Sequence, residues 1–212
     1  MKAFYFKHLL SFHNPSGTSR GILKQKESWF IVIVQGNKTG IGECSLIEGL
    51  SPDPVKSYEQ ILKTVCENIS DGFENLSLKL NSFPSILFGL ETAFRSFESH
   101  DPLLLFPSAF TKNNDSIAIN GLIWMGEKNF MISQIKEKIN AGFDCIKIKI
   151  GSLDFKTELD IIKNIRKEYS LKNLEIRVDA NCAFAFSEAL EKLKKLSDFS
   201  IHSIEQPIQT KQ

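Results

Sequence analysis

In the stretch Cys145-Ile146-Lys147-Ile148-Lys149-Ile150, charged and apolar residues alternate. A strand has a side-chain period of two, so both lysines share one face and the isoleucines share the other. On an antiparallel edge strand such lysines would face water. The flanking sequence predicts a different setting. Residues 128–141 carry Met131, Ile135 and Ile139 at four-residue steps, and residues 154–169 carry Phe155, Leu159, Ile162, Ile165 and Tyr169, both helical periods. Short apolar runs at 117–124, 174–178 and 201–205, with a helix at 187–197 carrying Leu190, Leu193 and Leu196, complete a β-α-β-α-β-α-β order. That order implies parallel strands joined by crossover helices. Parallel sheets are covered on both faces, so two lysines on an inner face need anionic company.

The company recurs at regular intervals. Asp179 closes Glu175-Ile176-Arg177-Val178 and lies 30 residues beyond Lys149; Glu205 closes Ile201-His202-Ser203-Ile204 and lies 26 beyond Asp179. A (β/α)-barrel uses ~30 residues per unit and gathers its strand ends on the single face that carries active sites. Taken singly, Asp179 reads as a loop or helix cap and Glu205, before Gln206-Pro207, as an exposed turn residue. Together, two carboxylates beside two lysines suit a hard divalent cation. The chemistry that fits is removal of a proton next to a carboxylate, with a metal ion holding the enediolate and a lysine as base. Lysine serves if burial or neighbouring positive charge lowers its pKa, and Lys147 beside Lys149 supplies such charge. Two other readings use the same residues: a Schiff-base lysine, which the acid pair disfavours, and an ion-pair cluster without a catalytic role.

Upstream, the first 45 residues read as an antiparallel meander. Phe4, Phe6 and the run Trp29-Phe30-Ile31-Val32-Ile33-Val34 are β-rich, and Gly36-Asn37-Lys38-Thr39-Gly40 is turn chemistry. The polar segment His13-Asn14-Pro15-Ser16-Gly17-Thr18-Ser19-Arg20-Gly21 predicts a mobile surface loop. Val55, Tyr58, Ile61 or Leu62, Val65 and Ile69, then Leu87, Leu90, Phe94 and Phe97, predict two amphipathic helices. Asp101-Pro102, Phe106-Pro107 and the polar stretch 111–116 place a domain boundary near residue 112, giving domains 1–111 and 112–212.

Composition narrows the function. The 26 basic and 25 acidic residues leave a net charge of +1, so nothing attracts nucleic acid or anionic lipid over the whole surface. No apolar run approaches the ~20 residues that span a bilayer, and the N-terminus lacks the pattern of an export signal. The four cysteines, Cys44, Cys66, Cys145 and Cys182, are widely spaced, which fits a reducing cytoplasm better than a disulfide framework or a zinc site.

Lys147-Ile148-Lys149, Arg177-Val178-Asp179-Ala180-Asn181 and Ser203-Ile204-Glu205-Gln206-Pro207 resemble the enolase superfamily in its muconate lactonising branch. Gly42-Glu43-Cys44-Ser45, Gly49-Leu50-Ser51-Pro52-Asp53 and Asn120-Gly121-Leu122-Ile123-Trp124-Met125-Gly126 extend the resemblance over nearly the whole chain. It implies an α/β and α+β architecture, an N-terminal α+β capping domain followed by the first part of a (β/α)-barrel. It further implies Lys149 as the acid/base, Lys147 as its electrostatic partner, and Asp179 and Glu205 as the first two Mg²⁺ ligands. Asn181 would neighbour the metal, and Ser19 and Arg20 would meet the substrate from a capping-domain loop, the segments around 17–20 and 50–53 forming the lid. The implied reaction is Mg²⁺-dependent α-proton removal from a small carboxylate followed by loss of water, a lyase; racemisation of N-succinylamino acids or epimerisation of dipeptides would use the same residues. The expected partner is that small molecule, with no nucleic acid or membrane and with room for a homo-oligomer.

Two departures stand out. Cys182 occupies a position where the family pattern has glycine; if φ is positive there, Cys costs about 1–2 kcal/mol. The family's third metal carboxylate and second lysine would lie beyond Gln212, and closing the barrel would take about 120 further residues at ~30 per unit. The expectation is a fragment that is inactive alone.

Overall fold

Two sheets organise the chain, each with its own core. The computed structural model describes residues 1–18 and 21–210, which divide into the units Met1–Ser116 and Ile117–Gln212. In the first, β1 (Lys2–Thr18), β2 (Gly21–Gln35) and β3 (Lys38–Cys44) form an antiparallel meander. Trp29, Ile31, Ile33 and Cys44 point to one face and meet Tyr58, Leu62, Val65, Ile86, Leu90 and Ala93. Those partners come from α1 (Tyr58–Glu67) and α3 (Pro84–Glu98), with the short α2 (Gly72–Ser77) between them. Gly42 permits the close approach of α3, because a Cβ there would collide with the carbonyl oxygen of Gly89.

Of the segment expected as a loop at 13–21, residues 13–18 and Gly21 instead extend the hairpin, and residues 19–20 lie outside the described residues. β1 runs to Thr18, with an irregular register between Ser11 and Ser16 that brackets Pro15. Proline has no N–H for the ladder, so the strand accommodates it at a bulge instead of breaking. The two helices expected after Pro54 form, with α2 as an addition whose six residues were too short to show a period.

A polar cluster stabilises the hairpin beside β3. The Lys26 ammonium donates to Ser28 Oγ at 2.7 Å and to Glu43 Oε1 at 2.9 Å, and the Ser28 hydroxyl donates to the same Glu43 oxygen at 2.7 Å. The Ser28 hydroxyl and the Lys26 ammonium hold the Glu43 carboxyl below the usual carboxylate range. A lowered folded-state value means stability that is present above the unfolded value and disappears as pH falls through the folded one. Glu43→Gln is therefore expected to lower stability at neutral pH by about 0.5–1 kcal/mol, the discount reflecting a half-exposed carboxylate. Urea unfolding at pH 7 and in acid checks it: the two proteins should converge once Glu43 is protonated.

In the second unit β4 (Gly121–Ile123), β5 (Cys145–Lys149), β6 (Glu175–Asp179) and β7 (Ser203–Glu205) lie side by side in chain order and all parallel. Between them run α4 (Lys128–Asn140), α5 (Phe155–Glu168) and α6 (Phe186–Ser197). Ile146, Ile148, Ile176 and Val178 point to the helix side and pack with Met131, Ile135, Ile161, Ile162, Ile165 and Leu196. The other sheet face carries the charges. Arg166 on α5 closes the rim, donating to the carbonyl oxygens of Phe199, Leu174 and Ser200. No helix among the described residues is long and apolar enough to cross a membrane.

Candidate functional site

The parallel register places three charged side chains in one row. Lys149 on β5 pairs with Asp179 on β6, and Asp179 pairs with Glu205 on β7, all at the C-terminal ends of their strands. Lys147 lies two residues back on the face of Lys149. The Lys149 ammonium is 3.1 Å from Asp179 Oδ2 and the Lys147 ammonium is 3.4 Å from the same oxygen. Lys147 also donates to Glu205 Oε2. The lysines therefore have the anions that their position demanded.

Asp179 is 2% exposed and Glu205 52%. One carboxylate is thus fixed in the wall while the other reaches outward. Burial pushes the Asp179 carboxyl up, but the Asn181 N–H and the two ammonium groups outweigh it and hold the carboxyl below its ordinary value. The Glu205 carboxylate holds Lys147 above the ordinary lysine value, so Lys147 stays a cation at neutral pH.

The turns after the strands are fitted to one another. The N–H groups of Ile150, Ala180, Cys182 and Phe184 donate to the carbonyl oxygens of Asp179, Glu205, Gln206 and Pro207, extending the ladder past the strand ends. Asn181 donates its backbone N–H to Asp179 Oδ1 at 3.0 Å and accepts the Lys149 ammonium on its side-chain oxygen at 2.8 Å. Asn181, Cys182 and Gln206 have φ of 44°, 64° and 43°, a left-handed cluster of non-glycine residues beside the charged row. Such backbone is costly and gathers at functional sites. The condition set for Cys182 is thereby met, and Cys182→Gly is expected to stabilise the chain by about 0.5–1 kcal/mol, the relief of left-handed strain less the extra freedom of glycine when unfolded. Thermal unfolding of the two proteins checks it.

The donor set is consistent with a hard divalent cation. Asp179 and Glu205 offer carboxylate oxygens from adjacent strands and Asn181 an amide oxygen, and Mg²⁺ commonly takes one or two carboxylates and keeps several waters. Among the described residues no group of three His, Cys, Asp or Glu side chains is placed to hold a metal. Ser19 and Arg20 lie outside the described residues. Of the segment 50–53, Asp53 is buried and accepts the backbone N–H and the hydroxyl of Ser85 at the start of α3, at 3.0 and 2.7 Å. A cavity of 370 Å³ sits at the opposite end of the strands, lined by Asn120, Cys145, Glu175 and Arg177, and none of Lys149, Asp179 or Glu205 reaches it.

One buried acid escaped the sequence reading. Glu158 on α5 is 2% exposed and its Oε1 accepts the N–H groups of Gly151, Ser152 and Leu153, directly after Lys149-Ile150. The available signal was position: Glu158 shares the apolar helical stripe of Ile161, Ile162 and Ile165, where a charge has no place unless it is bonded.

Residues 131–212 match the family described as enolase C-terminal domain-like. Over its full length the chain is 37% identical to o-succinylbenzoate synthase of Desulfotalea psychrophila. The chain belongs to the enolase superfamily. The crystal structure of MenC from Desulfotalea psychrophila superposes on this superfamily member with a TM-score of 0.81 at 32% identity, covering 98% of the chain. L-Ala-D/L-Glu epimerase of Francisella tularensis is 25% identical over 82% of the chain. The o-succinylbenzoate synthase of Thermosynechococcus elongatus, whose structure was solved with Mg in the active site, shares the fold at a TM-score of 0.76 and 15% identity. The chain spans 66% of the Desulfotalea synthase and 51% of the Francisella epimerase. The fold is therefore the α+β cap and the first part of an enolase-superfamily barrel.

Proposed function

We propose that this chain carries the acid/base lysine and two metal carboxylates of an o-succinylbenzoate synthase-type lyase, which dehydrates a hydroxy-carboxylate to 2-succinylbenzoate in menaquinone biosynthesis. The observation that carries the reading is the row Lys149, Asp179 and Glu205, in register across three parallel strands, with both lysines on one Asp179 oxygen. The whole-length likeness to a synthase favours this member of the superfamily.

Asp179 and Glu205 would hold Mg²⁺, which supplies the charge that stabilises the two enediolate oxygens when bound. Lys149, in its neutral form, takes the α-proton and afterwards delivers a proton to the departing hydroxide, so that water leaves. Lys147 remains protonated through Glu205 and provides fixed positive charge beside the reacting carboxylate. Asn181 orients the Lys149 amine through its side-chain oxygen. The four free cysteines support a reducing, cytoplasmic setting.

Epimerisation of dipeptides or racemisation of N-succinylamino acids is the second reading, favoured by the epimerase relatives. Assays on the intact gene product with Mg²⁺ separate them. Dehydration is expected with kcat/KM of about 10⁴–10⁸ M⁻¹s⁻¹; epimerisation outpacing dehydration would overturn the assignment.

A further inference from the structure

The turn that follows Lys149 is held from beneath. Gly151, Ser152 and Leu153 point three successive N–H groups at one atom, Glu158 Oε1, at 2.6, 3.1 and 3.1 Å. Convergent backbone donors of this kind form an anion nest, and here the anion is the chain's own carboxylate. Asp154 caps the same helix by accepting the Thr157 N–H at 3.0 Å, so the carboxylate of Glu158 is left for the turn alone.

The pinned turn lies against the one that carries Asn181. Ile150 donates to the carbonyl oxygen of Asp179 at 2.8 Å. Gly151 has φ of 98°, and a Cβ there would collide with the Ala183 methyl, so the two turns touch at van der Waals distance. Phe155 and Phe184 close the seam edge to face, with ring centroids 5.7 Å apart. Moving the Gly151 turn therefore moves the turn whose Asn181 holds the Lys149 ammonium.

We infer that Glu158 is a positioning residue: by pinning the 151–153 turn it sets the Asn181–Lys149 contact without touching either reacting group. The inference rests on the roles proposed for Lys149 and Asn181, but its structural half is read in the metal-free chain. Burial pushes the Glu158 carboxyl above its ordinary value, against the three N–H groups that pull it down.

The test compares Glu158→Gln, which keeps the accepting oxygen, with Glu158→Asp, which keeps the charge but is one methylene too short to reach all three donors. In the 212-residue chain, Glu158→Asp is expected to speed amide exchange of Ser152 and Leu153 about tenfold or more and to displace the backbone and side-chain amide signals of Asn181. Exchange at Ile31 and Ile33, in the other core, should not change. Glu158→Gln should restore wild-type values. In the intact gene product Glu158→Asp should lower kcat with little change in KM. Asn181 signals at wild-type positions in the Asp variant, exchange rising together throughout the parallel sheet, or a Gln variant that behaves like the Asp variant would each overturn the inference. Failure of the catalytic reading alone would appear differently, as normal turn behaviour in a protein without Mg²⁺ binding or turnover.

Discussion

Asp179→Asn is expected to destabilise the parallel-sheet unit by about 2–3 kcal/mol and to abolish its response to Mg²⁺. The first effect follows from what the carboxylate touches. Its Oδ2 meets two ammonium groups and its Oδ1 accepts the Asn181 N–H, all from a side chain 2% exposed. An amide keeps the shape and one acceptor but leaves Lys149 without an anion and Lys147 with Glu205 alone. Removing one partner from a buried pair costs about 3–5 kcal/mol; the lysines here are about a fifth exposed, so water recovers part of that. Acid should act in the same direction in wild type. The Asp179 carboxyl is held below its ordinary value, so its contribution is present above the unfolded value and is lost as pH falls through the folded one. Urea unfolding followed on amide signals of β5 and β6 measures the loss, and equal stability of the two proteins at pH 7 would contradict it.

Lys149→Arg should separate charge from proton transfer. A guanidinium keeps the positive charge beside Asp179 and Asn181, so stability should stay within about 1 kcal/mol of wild type. It cannot give up its proton near neutral pH, so the intact gene product should lose about 10²–10⁴-fold in kcat. Lys147→Arg should be milder, because Lys147 is assigned a role as a fixed cation. Were Lys149 only a member of an ion-pair cluster, the arginine variant would turn over like wild type. Exchange of the substrate α-proton with solvent deuterium gives the readout closest to the proposed step.

The parallel half of the fold was legible because its residues obey two constraints at once. Ile146, Ile148, Ile176 and Val178 alternate with charges, and each strand is followed by a helical period, so only a parallel sheet with one charged face satisfies both. The 30- and 26-residue steps to Asp179 and Glu205 then fixed which strand ends meet, and the register places them in one row. The hairpin was harder. Pro15, Gly17 and the polar residues around them read as a loop, since a bulge that absorbs a proline depends on the partner strand and leaves no local signal. Glu158 was hidden for a related reason: its meaning lies in three backbone donors, and backbone groups have no letters in a sequence.

Manganese offers the most direct measurement of the proposed centre. Added to the 212-residue chain in place of Mg²⁺, the paramagnetic ion should broaden the amide signals of Lys149, Asp179, Ala180, Asn181 and Glu205 before any others, and Mg²⁺ should reverse the effect. Asp179→Asn should leave those signals sharp. Broadening centred elsewhere, such as around Cys145 and Glu175, or broadening that survives in Asp179→Asn, would show that the row of Lys149, Asp179 and Glu205 is not a cation site.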